Sequence, residues 1–148
     1  MKPTGRAAQA FGRRPDPPRA GVLLFGEDAM RVAHRRQEVI GALVGPEGEA
    51  EMRLTRIPGA ELRRDPALLL DAIKAQGFFP GPRVAFVEDA TDVLAATVTT
   101  ALGDWRDGDA QVVVTAGSLA AKSKLRKLFE GHSNALAIGI YSDPPGRD

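Results

Sequence analysis

The sequence contains no cysteine. Disulfides and thiolate zinc sites are therefore excluded, and His34 and His132 are the only two imidazoles, so no metal site is expected. Long hydrophobic stretches are also missing. Uninterrupted apolar runs reach about five residues, far short of the roughly 20 that span a bilayer, so no transmembrane helix and no membrane partner are expected. The pair Arg13-Arg14 is followed by Pro15-Asp16-Pro17-Pro18 where an export signal needs an apolar core. A cytoplasmic protein is expected. Net charge is +1, so no global field drives the chain toward nucleic acid or membrane, although local clusters remain open.

What remains is 148 residues, 43% hydrophobic and 26% charged, the profile of one globular domain with a single core. Residues 1–19 read as an N-terminal arm that ends in a proline-rich connector. Residues 20–25 form a continuous apolar run, as a strand buried on both faces should. Gly26 ends it, and Glu27 and Asp28 suit the positive end of a helix carrying Val32, Ala33, Val39, Ile40 and Leu43. Residues 52–57 alternate with period two, which predicts a strand near a sheet edge.

Asp65 before Pro66 reads as an N-cap with proline at the first helical position, and Leu69, Ala72 and Ile73 give the following helix its buried face. Residues 83–87 form a third strand ending in Glu88-Asp89. Thr91 then caps a helix bearing Leu94, Val98, Ala101 and Leu102. A β-branched fourth strand follows over 111–115, a basic helix over about 123–130 with Leu125, Leu128 and Phe129 inward, and a fifth strand over 135–141. Strands alternating with helices predict βαβ units and a five-stranded parallel α/β sheet with helices on both faces. Sites in such sheets gather at the C-terminal strand ends, here Gly26 to Asp28, Glu88-Asp89, Thr115 and Ser142-Asp143.

A P-loop is absent from the place where it would stand. Counted from Gly26, the second glycine of G-x-x-x-x-G-K-[ST] falls at Arg31, the lysine at Val32 and the hydroxyl at Ala33. No nucleotide-binding, catalytic or cofactor residue is assigned. One alternative is a nucleotide-responsive switch that keeps the acids at 88–89 and Thr115. Another is a phosphoryl-accepting receiver-like domain, with Glu27-Asp28 for magnesium, Asp89 or Glu88 as acceptor and Thr115 as switch hydroxyl. The receiver reading lacks its lysine after the fifth strand, where Ser142-Asp143-Pro144 stands. Neither His34, beside Arg35 and Arg36 on a helix, nor His132, after a helix-ending glycine, has partners that suggest a hydrolase triad.

The most unusual stretch is Gln76-Gly77-Phe78-Phe79-Pro80-Gly81-Pro82, where glycine and proline forbid helix and sheet around two adjacent phenylalanines. A loop normally runs over the surface with polar residues, so an apolar pair at its tip calls for a partner, or for one ring to fold back into the core. The basic residues from Lys122 to Lys127 read as a solvated helix face, with phosphate contact or a neighbouring subunit as the functional alternative.

The ordered combination of Leu23-Leu24-Phe25-Gly26-Glu27-Asp28, Gly77-Phe78-Phe79 before Arg83-Val84, and Lys122-Ser123-Lys124-Leu125-Arg126-Lys127 resembles the N-terminal domain of the delta subunit of bacterial DNA polymerase III, a clamp-loader component. The resemblance spans residues 23–141. It implies an AAA+/P-loop NTPase-like fold over residues 20–142 with a degenerate nucleotide site, and residues 143–148 as the start of a linker to C-terminal domains. It further implies a non-catalytic subunit of the polymerase III holoenzyme, with Phe78 and Phe79 as the clamp-binding pair. The family often has leucine then phenylalanine there. The implied partners are the sliding clamp (beta subunit), other clamp-loader subunits and, through the assembled loader, primed DNA; ATP hydrolysis belongs to other subunits.

Overall fold

A computed structural model describes residues 20–45, 53–75, 83–106, 109–132 and 134–140. The elements in chain order are β1 (Gly21–Phe25), α1 (Ala29–Val44), β2 (Leu54–Pro58), α2 (Gly59–Arg64), α3 (Ala67–Lys74), β3 (Val84–Ala90), a 3-10 turn (Asp92–Leu94), α4 (Ala95–Gly103), β4 (Gln111–Ala116), α5 (Lys124–Gly131) and β5 (Ala135–Gly139). The strands form one parallel sheet in the order β2-β3-β4-β1-β5.

The apolar run of β1 explains its place. Every residue of β1 is buried, because β4 and β5 flank it and helices cover both its faces. Among the described residues the alternating β2 pairs only with β3, and its Thr55 and Arg56 are exposed, as expected of an edge. Side chains alternate across the sheet and split the interior in two. Leu23, Phe25, Val87, Val112 and Val114 meet Leu62 of α2, Leu69 and Ile73 of α3, Val98 and Leu102 of α4, and Leu125 and Phe129 of α5. The opposite face, with Val22, Leu24, Val84, Phe86 and Val113, meets α1, the one helix on it among the described residues, through Val32, Val39, Ile40, Leu43 and Val44. Among the described residues, helices thus lie on both faces as expected, four on one and one on the other. Each fully buried Leu or Phe contributes roughly 1.5–3 kcal/mol before its entropy loss.

Several expectations are refined. The 2-3-4-1-5 order rules out the receiver-like alternative, which needs the flavodoxin-type order 2-1-3-4-5. Helix α2 was not anticipated; its first residue, Gly59, packs so closely on β3 that an added Cβ would lie 2.6 Å from the Asp89 carbonyl oxygen. Strand β3 does not stop before its acids. It continues through Glu88 and Asp89 to Ala90, with a register shift against β4 and Asp89 at φ 57°, the left-handed region that, after glycine, asparagine and aspartate tolerate best. Asp65 caps α3 as read, its Oδ1 accepting from the Ala67 N–H at 3.3 Å, with the helix starting one residue later. Ala33 and Ala72 are half-buried rather than fully inside.

Candidate functional site

The residues singled out in the sequence fall in two regions, the C-terminal ends of the strands and the connection between α3 and β3. At the C-terminal edge, the ends of β1, β3 and β4 and the first half of α1 enclose a cleft of about 300 Å³ lined by Gly26, Glu27, Arg36, Glu88, Asp89 and Thr115 among others. The structure therefore gathers Gly26, Glu27, Glu88, Asp89 and Thr115 into one place, where sites of open α/β sheets form. Asp28 stands just beyond as the α1 cap. The Asp89 N–H donates to Thr115 Oγ1 at 3.3 Å, so this pair is joined within the fold. Ser142 and Asp143 lie outside the described residues.

The turn that opens α1 decides what this cleft can hold. Gly26 has no room for a side chain, since a Cβ would sit 2.0 Å from the Ile140 carbonyl oxygen. Only Glu27 and Asp28 separate it from the helix. Asp28 Oδ1 accepts from the backbone N–H groups of Met30 at 3.1 Å and Arg31 at 3.2 Å, and Oδ2 pairs with Arg31 Nε at 3.5 Å. A phosphate at a helix N-terminus uses those same amides. The chain's own carboxylate occupies them here, next to further acids, so the amides that would cradle a triphosphate are already satisfied. Among the described residues, no three metal-ligating side chains converge.

The N-terminus of α5 is closed in a similar way. Ser123 Oγ accepts from Arg126 N–H at 3.2 Å and donates to Asp92 Oδ1 at 2.6 Å, which also accepts from Leu125 N–H at 3.1 Å. The Ser123 hydroxyl, the Leu125 amide and the nearby Lys124 hold the Asp92 carboxyl below its ordinary range, against the desolvation that opposes them. In the basic helix itself, Arg126 is structural: it bonds Glu130 and the Leu119 carbonyl and stacks on Phe25 at 5.0 Å. Lys122, Lys124 and Lys127 are exposed. His34 lies on the exposed side of α1, 3.9 Å from Glu38, and His132 Nδ1 accepts from the Asn134 N–H at 3.0 Å.

The second region is the connection between α3 and β3, whose described ends, Ala75 and Arg83, stand at the N-terminal edge. Phe78 and Phe79, in residues 76–82, lie outside the described residues, but the stem of that connection is defined. The Arg83 guanidinium donates to the carbonyl of Ala75, closing the stem across it. Lys74 Nζ donates to the Asp104 carbonyl at 2.8 Å and to Asp109 Oδ2 at 2.5 Å, and the Ala110 N–H donates to the Ile73 carbonyl at 3.1 Å. The end of α3 is thereby tied to the start of β4. Burial acts to raise the Asp109 carboxyl, but Lys74, the Arg106 amide and Arg83 outweigh it and hold it below the usual carboxylate range. Sequence reasoning missed Arg83, Asp92 and Asp109 because each acts on a group distant along the chain or beyond a turn.

The sheet order and the helix arrangement define a five-stranded parallel α/β fold with helices on both faces. No protein-family profile and no curated protein sequence matches the chain. Among solved structures, it is similar to the crystal structure of a DNA polymerase III gamma subunit-related protein from Thermotoga maritima, with a TM-score of 0.51 and 13% sequence identity. The likeness covers 95% of this chain and 45% of that one, so this chain spans less than half the neighbour's length. At that identity the similarity is one of fold. Among the described residues no helix is long and apolar enough to cross a membrane.

Proposed function

We propose that this chain is a clamp-loader domain of the delta type, which grips the sliding clamp of DNA polymerase III through Phe78 and Phe79 and helps open the ring without hydrolysing ATP. The observation that carries the reading is the double tie at the base of residues 76–82, Arg83 to Ala75 and Lys74 to Asp109, beneath an apolar pair that the sequence places between glycine and proline. A stem held at both ends lowers the entropy lost when its tip enters a pocket. Two phenylalanine rings buried in a partner contribute roughly 1.5–3 kcal/mol each before ordering costs, enough to anchor a modest interface.

The C-terminal edge supports the same reading from the other side. With Asp28 on the α1 amides and no P-loop lysine, this domain supplies a rigid platform, and hydrolysis falls to other subunits of the loader. Ring opening then requires tighter binding to the open clamp than to the closed one, because a ligand shifts an equilibrium only by its differential affinity. Other loader subunits are the expected partners of the intact protein, and primed DNA reaches it through that assembly.

Calorimetric titration with the sliding clamp of the same organism tests the proposal. Wild type is expected to bind, and Phe78→Ala/Phe79→Ala, with an unchanged melting temperature, to lose binding. Wild type that fails to bind at high micromolar clamp, or a double variant that binds as well as wild type, would sink it.

A further inference from the structure

On the sheet face that carries α1, the ring of Phe86 lies beneath two cations. Arg36 of α1 places its guanidinium carbon 5.0 Å from the ring centroid, and Arg56 of edge strand β2, opposite Phe86 in the register, places its own at 5.4 Å. The ring is only 1% exposed, so these side chains serve as part of its cover. A guanidinium that stacks by its face keeps its N–H donors in its own plane, free for a further partner.

The fold contains its own comparison. Arg126 stacks on Phe25 at the same 5.0 Å, and there the in-plane donors are used, on Glu130 Oε2 at 2.8 Å and the Leu119 carbonyl at 3.0 Å. Arg36 differs: its Nε is buried and finds no acceptor. Among the described residues, neither Arg36 nor Arg56 takes part in an ion pair. A buried charged donor without an acceptor is uncommon, and here it belongs to a pair of like charges drawn to one ring.

We infer that the Arg36–Phe86–Arg56 stack is a binding site for a carboxylate. The cleft that Arg36 lines selects for that group. Glu27, Glu88 and Asp89 line the same cleft and repel every anion, a multiply charged phosphate or a phosphodiester chain more strongly than a single planar carboxylate, which also matches the guanidinium fork. Ala29, Val32 and Ala33 line the cleft beside Arg36 and suit the short apolar stem that such a carboxylate carries. The site is independent of clamp binding, which the other edge of the sheet would carry.

The test is NMR of the arginine side-chain Nε–H signals in the 148-residue chain. The additions are propionate, a blocked peptide with a single glutamate, inorganic phosphate, and sodium chloride at matched ionic strength. The Arg36 and Arg56 signals are expected to shift saturably with propionate while Arg126 stays in place, and Arg36→Lys is expected to weaken the response about tenfold by losing the fork. Should Arg36→Lys disturb folding, the exposed Arg56→Lys carries the same comparison. A tighter response to the glutamyl peptide assigns the carboxylate to a protein segment, and an equal one to a free acid; both support the site. The inference is overturned if chloride reproduces the shifts, if phosphate binds more tightly than propionate, or if Arg126 responds equally.

Discussion

The guanidinium of Arg83 hydrogen-bonds the carbonyl of Ala75, so the first residue after the Phe78–Phe79 segment holds the last residue before it. Lys74 reinforces that clasp from α3 by pairing with Asp109, 35 residues away. The sheet itself does not need the clasp, because the Arg83 backbone carbonyl accepts from Gln111 N–H at 2.9 Å whatever its side chain does.

Arg83→Ala should therefore separate presentation from folding. Loss of one charge-assisted bond at a partly exposed site is expected to weaken clamp binding by about 1 kcal/mol, near fivefold, with little change in melting temperature. Calorimetry and thermal unfolding on the same sample check it. A large fall in melting temperature would show that Arg83 supports the fold instead.

Millimolar ATP with magnesium is expected to leave the melting temperature unchanged, because Asp28 already satisfies the Met30 and Arg31 amides. Differential scanning fluorimetry with and without nucleotide reads this directly. A shift of several degrees would mean that the nucleotide displaces the cap.

The acid side of the stability profile should carry the signature of Asp92. Its folded-state carboxyl sits below the ordinary value of 3.8, so its contribution is full above that value and is lost as pH falls through the lower, folded one. Asp92→Asn is expected to flatten that part of the curve. Ser123→Ala, which removes the α5 cap, should cost about 1 kcal/mol near neutral pH. Urea unfolding between pH 2 and pH 7, a range set by that titration, compares the three proteins.

Two glycines should respond in opposite directions. Gly26→Ala meets the Ile140 carbonyl oxygen at 2.0 Å and is expected to cost about 1–3 kcal/mol. Gly41, inside α1 with nothing within 4 Å of an added Cβ, should gain nearly 1 kcal/mol as alanine. Paired melting curves decide it, and stabilisation by Gly26→Ala would refute the close approach.

Much of the fold was legible because its elements bury regular patterns. The continuous run of β1 and the helical spacing of Val39, Ile40 and Leu43 each lead to the observed element, and the alternation at 52–57 leads to the edge strand β2. Helix α2 was hidden because its only buried side chain is Leu62, too little for a periodic signal. The extension of β3 through Glu88 and Asp89 was hidden because acids read as a strand end, and only the bulge against β4 accommodates them. The cleft acids were legible from strand ends alone. Arg36 was not, since its meaning comes from a ring 50 positions later, supplied by another element. The bond between Asp92 and Ser123, 31 residues apart, has no local signature either.

The cap at Asp28 also has a consequence over time. A helix terminus that waits for a dissolved anion is filled or empty according to what the solution contains, and its surroundings shift with each binding and release. At α1 the anion is part of the chain and cannot diffuse away. Under the proposed function, that edge of the domain is expected to keep one shape as nucleotide supply changes, a fixed surface against which other loader subunits would work.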